Sequence, residues 1–120
     1  MSLKLSVRQV GNVAVVDLSG RITLGETAGE LRESLKDLLA KGQKNILLNL
    51  GAVNYIDSSG LGELVGGFAS VSNRGGVLKL LNLRERVLEL MQITKLLSVF
   101  EAFKDETEAV RSFESRAASV

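Results

Sequence analysis

The stretch Asn54-Tyr55-Ile56-Asp57-Ser58-Ser59-Gly60-Leu61-Gly62 concentrates the residues best suited to chemistry. It sets a carboxylate, two hydroxyls and two glycines where a strand and its loop hand over to a helix. Asp and Ser are preferred N-caps, because a side-chain oxygen satisfies an orphan amide of the first turn. Capping alone accounts for these types at this spacing. The same helix entrance carries partial positive charge and unpaired amides, so it also accommodates an anion. A phosphoryl group on Ser58 or Ser59 would add about −1.5 to −2 charges there. The helix end would tolerate that charge, and Asp57 would repel it. Such a modification would alter a surface without unfolding the domain. Spacing leaves both readings open, and it leaves the choice between the two serines open as well.

Other chemistries lack their parts. Gly60-x-Gly62 opens a helix as a dinucleotide fingerprint would, but the third glycine position holds Val65. No phosphate-binding loop ending in Gly-Lys-Ser/Thr occurs. A nucleophile elbow around Ser58 would need glycine where Ile56 stands. The chain has no Cys and no His. That excludes thiol catalysis, a Ser-His-Asp hydrolase and a His-bound zinc site. The fourteen Asp and Glu fall mostly on expected solvated helix faces or caps. No catalytic residue, cofactor or metal is expected. A small enzyme working with carboxylates or a nucleotide is the least favoured class.

The helix after the serines has a second feature. Gly62, Gly66, Ala69 and Asn73 form a stripe of small residues beside the apolar one. An interior Gly costs about 0.8–1 kcal/mol against Ala. Either the helix backbone packs closely within its own domain, or a partner's backbone docks there. The inward face is already supplied by Leu61, Leu64, Val65, Phe68 and Val71 or Ser72, which keeps docking near parity with packing.

The elements that must hold this site follow from periodicity. Leu3, Leu5 and Val7 alternate with polar residues, Gly11-Asn12 turns, and Val13 to Leu18 returns, so 3–18 reads as a hairpin ended by Ser19-Gly20. Thr27-x-x-Glu30 has capping-box spacing and opens a helix with Ala28, Leu31, Leu35, Leu38 and Leu39 on one face. Lys41-Gly42 stops it. Ile46 to Leu50 is a short, continuous apolar run, expected as a doubly covered strand followed by a loop from Gly51 to Asp57. The site helix runs to about Asn73 and is broken by Gly75-Gly76. A strand at 77–81, a helix marked by Leu83, Val87, Leu90 and Met91, a short strand at 99–102 and a helix opened by Asp105-x-x-Glu108 complete the chain. Ala109, Val110 and Phe113 point inward on that last helix, and the tail from Ser115 to Val120 is expected to fray.

The order β-β-α-β-α-β-α-β-α predicts a single α/β domain over 1–120, with its core at about 3–115. Its sheet should be mixed and mainly parallel, with helices packed on it. Composition agrees: 45% of residues are apolar and 24% charged, with net charge +1. No apolar run reaches the ~20 residues of a membrane span, and no signal-peptide stretch opens the chain. No basic block marks a nucleic-acid binder, and one Tyr, four Phe and no Trp leave little for base stacking. A cytoplasmic protein is expected. Oligomeric state is not readable.

At Asp57-Ser58-Ser59-Gly60-Leu61-Gly62 the chain resembles the STAS family, the anti-sigma-factor antagonists. The resemblance covers about 3–115 and includes the hairpin, the Ser19-Gly20 turn, the strand from Ile46 to Leu50 and Gly75-Gly76 before a strand. It implies a partner switch. The unphosphorylated antagonist binds an anti-sigma factor that is also a serine kinase, which frees the sigma factor. Phosphorylation breaks the complex, and a serine phosphatase restores it. Carried over, Ser58 is the phosphorylated residue and Ser59 its less favoured neighbour. Asp57, Ser59, Gly60, Arg21 and Thr23 would surround the phosphate. Asp57, Ser58, Gly62, Glu63, Gly66, Ala69, Ser70 and Asn73 would form the docking face. The chain departs from the family at Thr23, where an acidic residue is expected, and Arg21 would lie near the phosphate instead. The family also includes scaffolds and accessory subunits of signalling or lipid and anion transport assemblies that lack serine phosphorylation.

Overall fold

The computed structural model describes residues 3–118. Strands β1 (Lys4–Val10) and β2 (Val13–Ile22) form the hairpin. Helix α1 (Glu26–Ala40), β3 (Asn45–Ile56), α2 (Ser58–Asn73), β4 (Val77–Leu81), α3 (Glu85–Ile93), β5 (Ala102–Phe103) and α4 (Glu106–Ala118) follow. The sheet order is β1-β2-β3-β4-β5, antiparallel between the first two strands and parallel thereafter. This is the mixed, mainly parallel α/β sheet expected.

Alternation sorts the side chains onto two faces. Ala14, Val16, Leu18, Ile46, Leu48, Leu50, Leu78 and Leu80 join the apolar residues of α1, α2 and α3 in the main core. Val13, Val15, Leu47 and Leu81 point the other way, against Ala109 and Phe113 of α4. Truncating a buried Phe such as Phe113 costs ~3–5 kcal/mol, so α4 is an anchored part of the fold. Two polar clasps assist it. Arg8 on β1 reaches Asp17 and Glu106 at 2.6 Å each, and buried Lys79 donates to Ser112 Oγ at 2.8 Å.

Four local expectations are corrected. β2 does not end at Ser19-Gly20; it runs to Ile22 because its second half pairs with β3. The segment 51–56 is strand rather than loop. Register shifts against β2 place extra residues in β3, so Leu50, Val53 and Ile56 all face the core. That three-residue spacing is what hid a strand from a period-two reading. Thr27 is not an N-cap. The α1 cap is Gly25, with no side-chain cap bond, and the buried Thr27 hydroxyl meets the Thr23 backbone instead. The last strand lies at 102–103, because residues 96–98 form a 3-10 turn and Val99 follows it. The expected fray at 115–120 includes 119 and 120, which lie outside the described residues; α4 continues through Ala118.

Candidate functional site

The longer reach of β2 and β3 builds the site. Ile22 pairs with Ile56 at the carboxyl ends of two adjacent parallel strands, the end at which open α/β sheets place their sites. The Asp57 N–H donates to the Ile22 carbonyl at 3.2 Å. The Asp57 carboxylate then ties three segments together. Oδ1 accepts the Gly60 N–H at 2.8 Å, capping α2, and Oδ2 accepts the Leu24 N–H at 3.0 Å, holding the β2–α1 connection. These backbone donors, Gly60 first and Leu24 second, hold the carboxyl below its usual range.

Gly60 has a steric reason as well. A Cβ there would run into the Ile22 carbonyl and the Ile56 side chain. The first turn of α2 therefore lies directly on the ends of β2 and β3. Ser58, the first residue of α2, is exposed on this braced platform, and Ser59 is half-buried.

The glycines of α2 fall into two kinds. Gly67 is buried, and its Cβ would press on Leu35 of α1. Gly62 and Gly66 are exposed, and a Cβ at either would meet nothing within 4 Å. Close packing within the domain thus explains Gly60 and Gly67 but not the exposed stripe. Ala69, Ser70 and Asn73 are exposed on the same helix. Glu63 reaches α1, with its Oε1 at 3.3 Å from Arg32 Nε. Gly66 and Ser70 line a shallow groove between α1 and α2.

Arg21 lies over the Tyr55 ring, 4.4 Å from its centroid. Thr23 is turned toward Thr27, its N–H donating to Thr27 Oγ1 at 2.8 Å. A cleft of about 600 Å³ opens beside Ser58, walled by Tyr55, Asp57, Arg86, Leu90 and Ile93 among others. Sequence reasoning missed this wall. Three apolar residues around the site stay exposed: Leu24 at 77%, Ile93 at 78% and Tyr55 at 37%. Ile93 lies one turn beyond Leu90 and could have been noticed as an extra apolar residue on α3; nothing in the sequence marks Leu24 or Arg86. Among the described residues, no helix is long and apolar enough to cross a membrane.

Comparison with known proteins bears on this arrangement. The STAS domain model matches residues 4–109. The anti-sigma-B factor antagonist of Bacillus subtilis is 39% identical over 101 residues, covering 84% of this chain and 91% of that protein. The crystal structure of an anti-sigma factor antagonist from Mycobacterium paratuberculosis superposes with a TM-score of 0.82 at 20% identity, over 92% of each chain. The phosphorylated form of the Bacillus cell-fate determinant SpoIIAA superposes with a TM-score of 0.72 at 20% identity, over 92% of this chain and 99% of that one. With the family model matching residues 4–109 and the fold shared with these solved structures, this protein belongs to the STAS domain family.

Proposed function

We propose that the chain is a non-enzymatic anti-sigma factor antagonist, working in the cytoplasm and switched by phosphorylation of Ser58. The unmodified form binds an anti-sigma factor that is also a serine kinase. That kinase transfers the γ-phosphoryl group of ATP to Ser58 Oγ. A P–O bond forms to the serine, the bond to ADP breaks, and the hydroxyl proton passes to a base of the kinase. A serine phosphatase hydrolyses the ester and restores binding.

One observation carries the reading. Ser58 is exposed while the backbone beneath it is fixed by Asp57 and Gly60. A dianionic ester at this point changes what a partner meets and leaves the scaffold in place. The open stripe of Gly62, Gly66 and Ala69 extends the face along α2, and Leu24, Tyr55 and Ile93 supply apolar anchors around the serine. The relatives' names agree with the class of partner. Incubation with the cognate kinase and ATP should give a single mass shift mapped to Ser58 and absent in Ser58→Ala. Label appearing elsewhere, or persisting in Ser58→Ala, would refute the assignment.

A further inference from the structure

We propose that Arg86 of α3 pairs with a phosphoryl group carried by Ser58, so that the modified serine bridges the cleft between α2 and α3. The inference rests on the switch reading above and adds the residue that receives the charge.

Ser58 and Arg86 stand on the walls of the same cleft, with Asp57, Glu89, Leu90 and Ile93. Arg86 is the one cation among the described residues of that wall. It is exposed, and no side-chain hydrogen bond or ion pair engages it among the described residues. Three other arginines are committed elsewhere. Arg21 lies over Tyr55, Arg32 faces Glu63, and Arg8 grips Asp17 and Glu106. Both carboxylate oxygens of Asp57 already accept backbone N–H groups.

The charges on the wall then decide the outcome. Asp57 and Glu89 against Arg86 leave one negative charge in excess. A dianion at Ser58 meets repulsion from both carboxylates and has a single cation within the cleft to turn to. A guanidinium offers the planar fork that binds phosphate oxygens in pairs. Glu89, three residues after Arg86 on α3, is the competitor for that fork. No covalent bond is made or broken in the pairing. Its consequence is a change of surface. The phosphate is drawn over Leu90 and the exposed Ile93, so modification covers apolar area as well as adding charge.

The test places phosphoserine at position 58 of the full chain by codon reassignment and follows its second ionisation by phosphorus NMR. A free phosphoserine ionises near pH ~6, and a paired cation favours the dianion and lowers that value. The wild-type background should titrate a few tenths of a pH unit below Arg86→Gln. Arg86→Lys should recover part of the difference, and Glu89→Gln should titrate lowest of all. Raising salt should shrink the gap, since the pair is solvent-accessible. Far-UV circular dichroism checks that each variant is folded, as expected for changes at exposed positions. Superimposed curves for the wild-type background and Arg86→Gln would overturn the proposal. No partner is present in this measurement, so its failure leaves the effect of phosphorylation on partner binding to be decided separately.

Discussion

Adding a methyl group at Gly62 and Gly66 should raise the stability of this protein while weakening its partner binding. A Cβ at either position meets nothing within 4 Å, so no steric cost opposes the change. Each Gly→Ala in a helix interior contributes about 0.8–1 kcal/mol, which gives about 1.6–2 kcal/mol for the double variant. Unfolding entropy near 2.1 cal/mol/K per residue, over 120 residues, sets the conversion at roughly 4 °C per kcal/mol. The melting temperature of Gly62→Ala/Gly66→Ala should therefore rise by about 6–8 °C in scanning calorimetry. Binding to the anti-sigma factor moves the other way. If a partner's backbone lies against this stripe, two methyl groups force it outward. Overpacking costs of about 1–3 kcal/mol correspond to about 5- to 150-fold weaker affinity. Gly67→Ala is the internal control, because its methyl presses on Leu35 and should bring no comparable gain. A fall in melting temperature would mean that the exposed glycines serve the fold. A rise with unchanged affinity would mean that no partner approaches them. Either result refutes the reasoning that sets these two glycines apart.

Gly60→Ala should be destabilising by about 1–3 kcal/mol, despite better helix propensity, because the methyl would run into the Ile22 carbonyl; urea denaturation measures it. Asp57→Ala should speed hydrogen exchange at the Leu24 and Gly60 amides above all others, since both donate to its carboxylate. Asp17 and Glu106 are held below their ordinary carboxyl values of 3.8 and 4.5, in each case chiefly by hydrogen bonds from Arg8. Groups whose carboxyl pKa is depressed on folding contribute stability above the unfolded value and lose it as pH falls through the folded one. Folding stability should thus decline as pH drops below about 4.5, and Arg8→Gln should flatten that decline. An equally steep acid limb in Arg8→Gln would contradict the role given to the clasp.

Much of this architecture could be read from residue periodicity, and the exceptions have physical causes. The apolar runs at 13–18 and 46–50 are legible as strands, and because both keep period two the structure divides their side chains between the two faces of the sheet. Beyond Leu50 the extra residues in β3 change the spacing of inward side chains to three, and the strand resembles a loop. Thr27 mimics a cap because its spacing to Glu30 is right, whereas the chain turns into α1 one residue before Glu26, at Gly25, whose φ is 91°. For the site, Asp57 was legible as the α2 cap, but its second bond, to Leu24, depends on two loops meeting at the sheet's end. The exposed stripe was legible as a choice between packing and docking, and open space around Gly62 and Gly66 decides against packing. Arg86 carries no local signal, because only the packing of α3 against β3 brings it to the cleft beside Ser58.

The most direct measurement is calorimetric titration of the anti-sigma factor with two forms of the full chain, one carrying serine and one phosphoserine at position 58. The account predicts at least about tenfold weaker affinity for the phosphorylated form, equivalent to ~1.4 kcal/mol, with far-UV spectra that coincide. Equal affinities would contradict it, and so would a loss of affinity accompanied by a loss of helical signal.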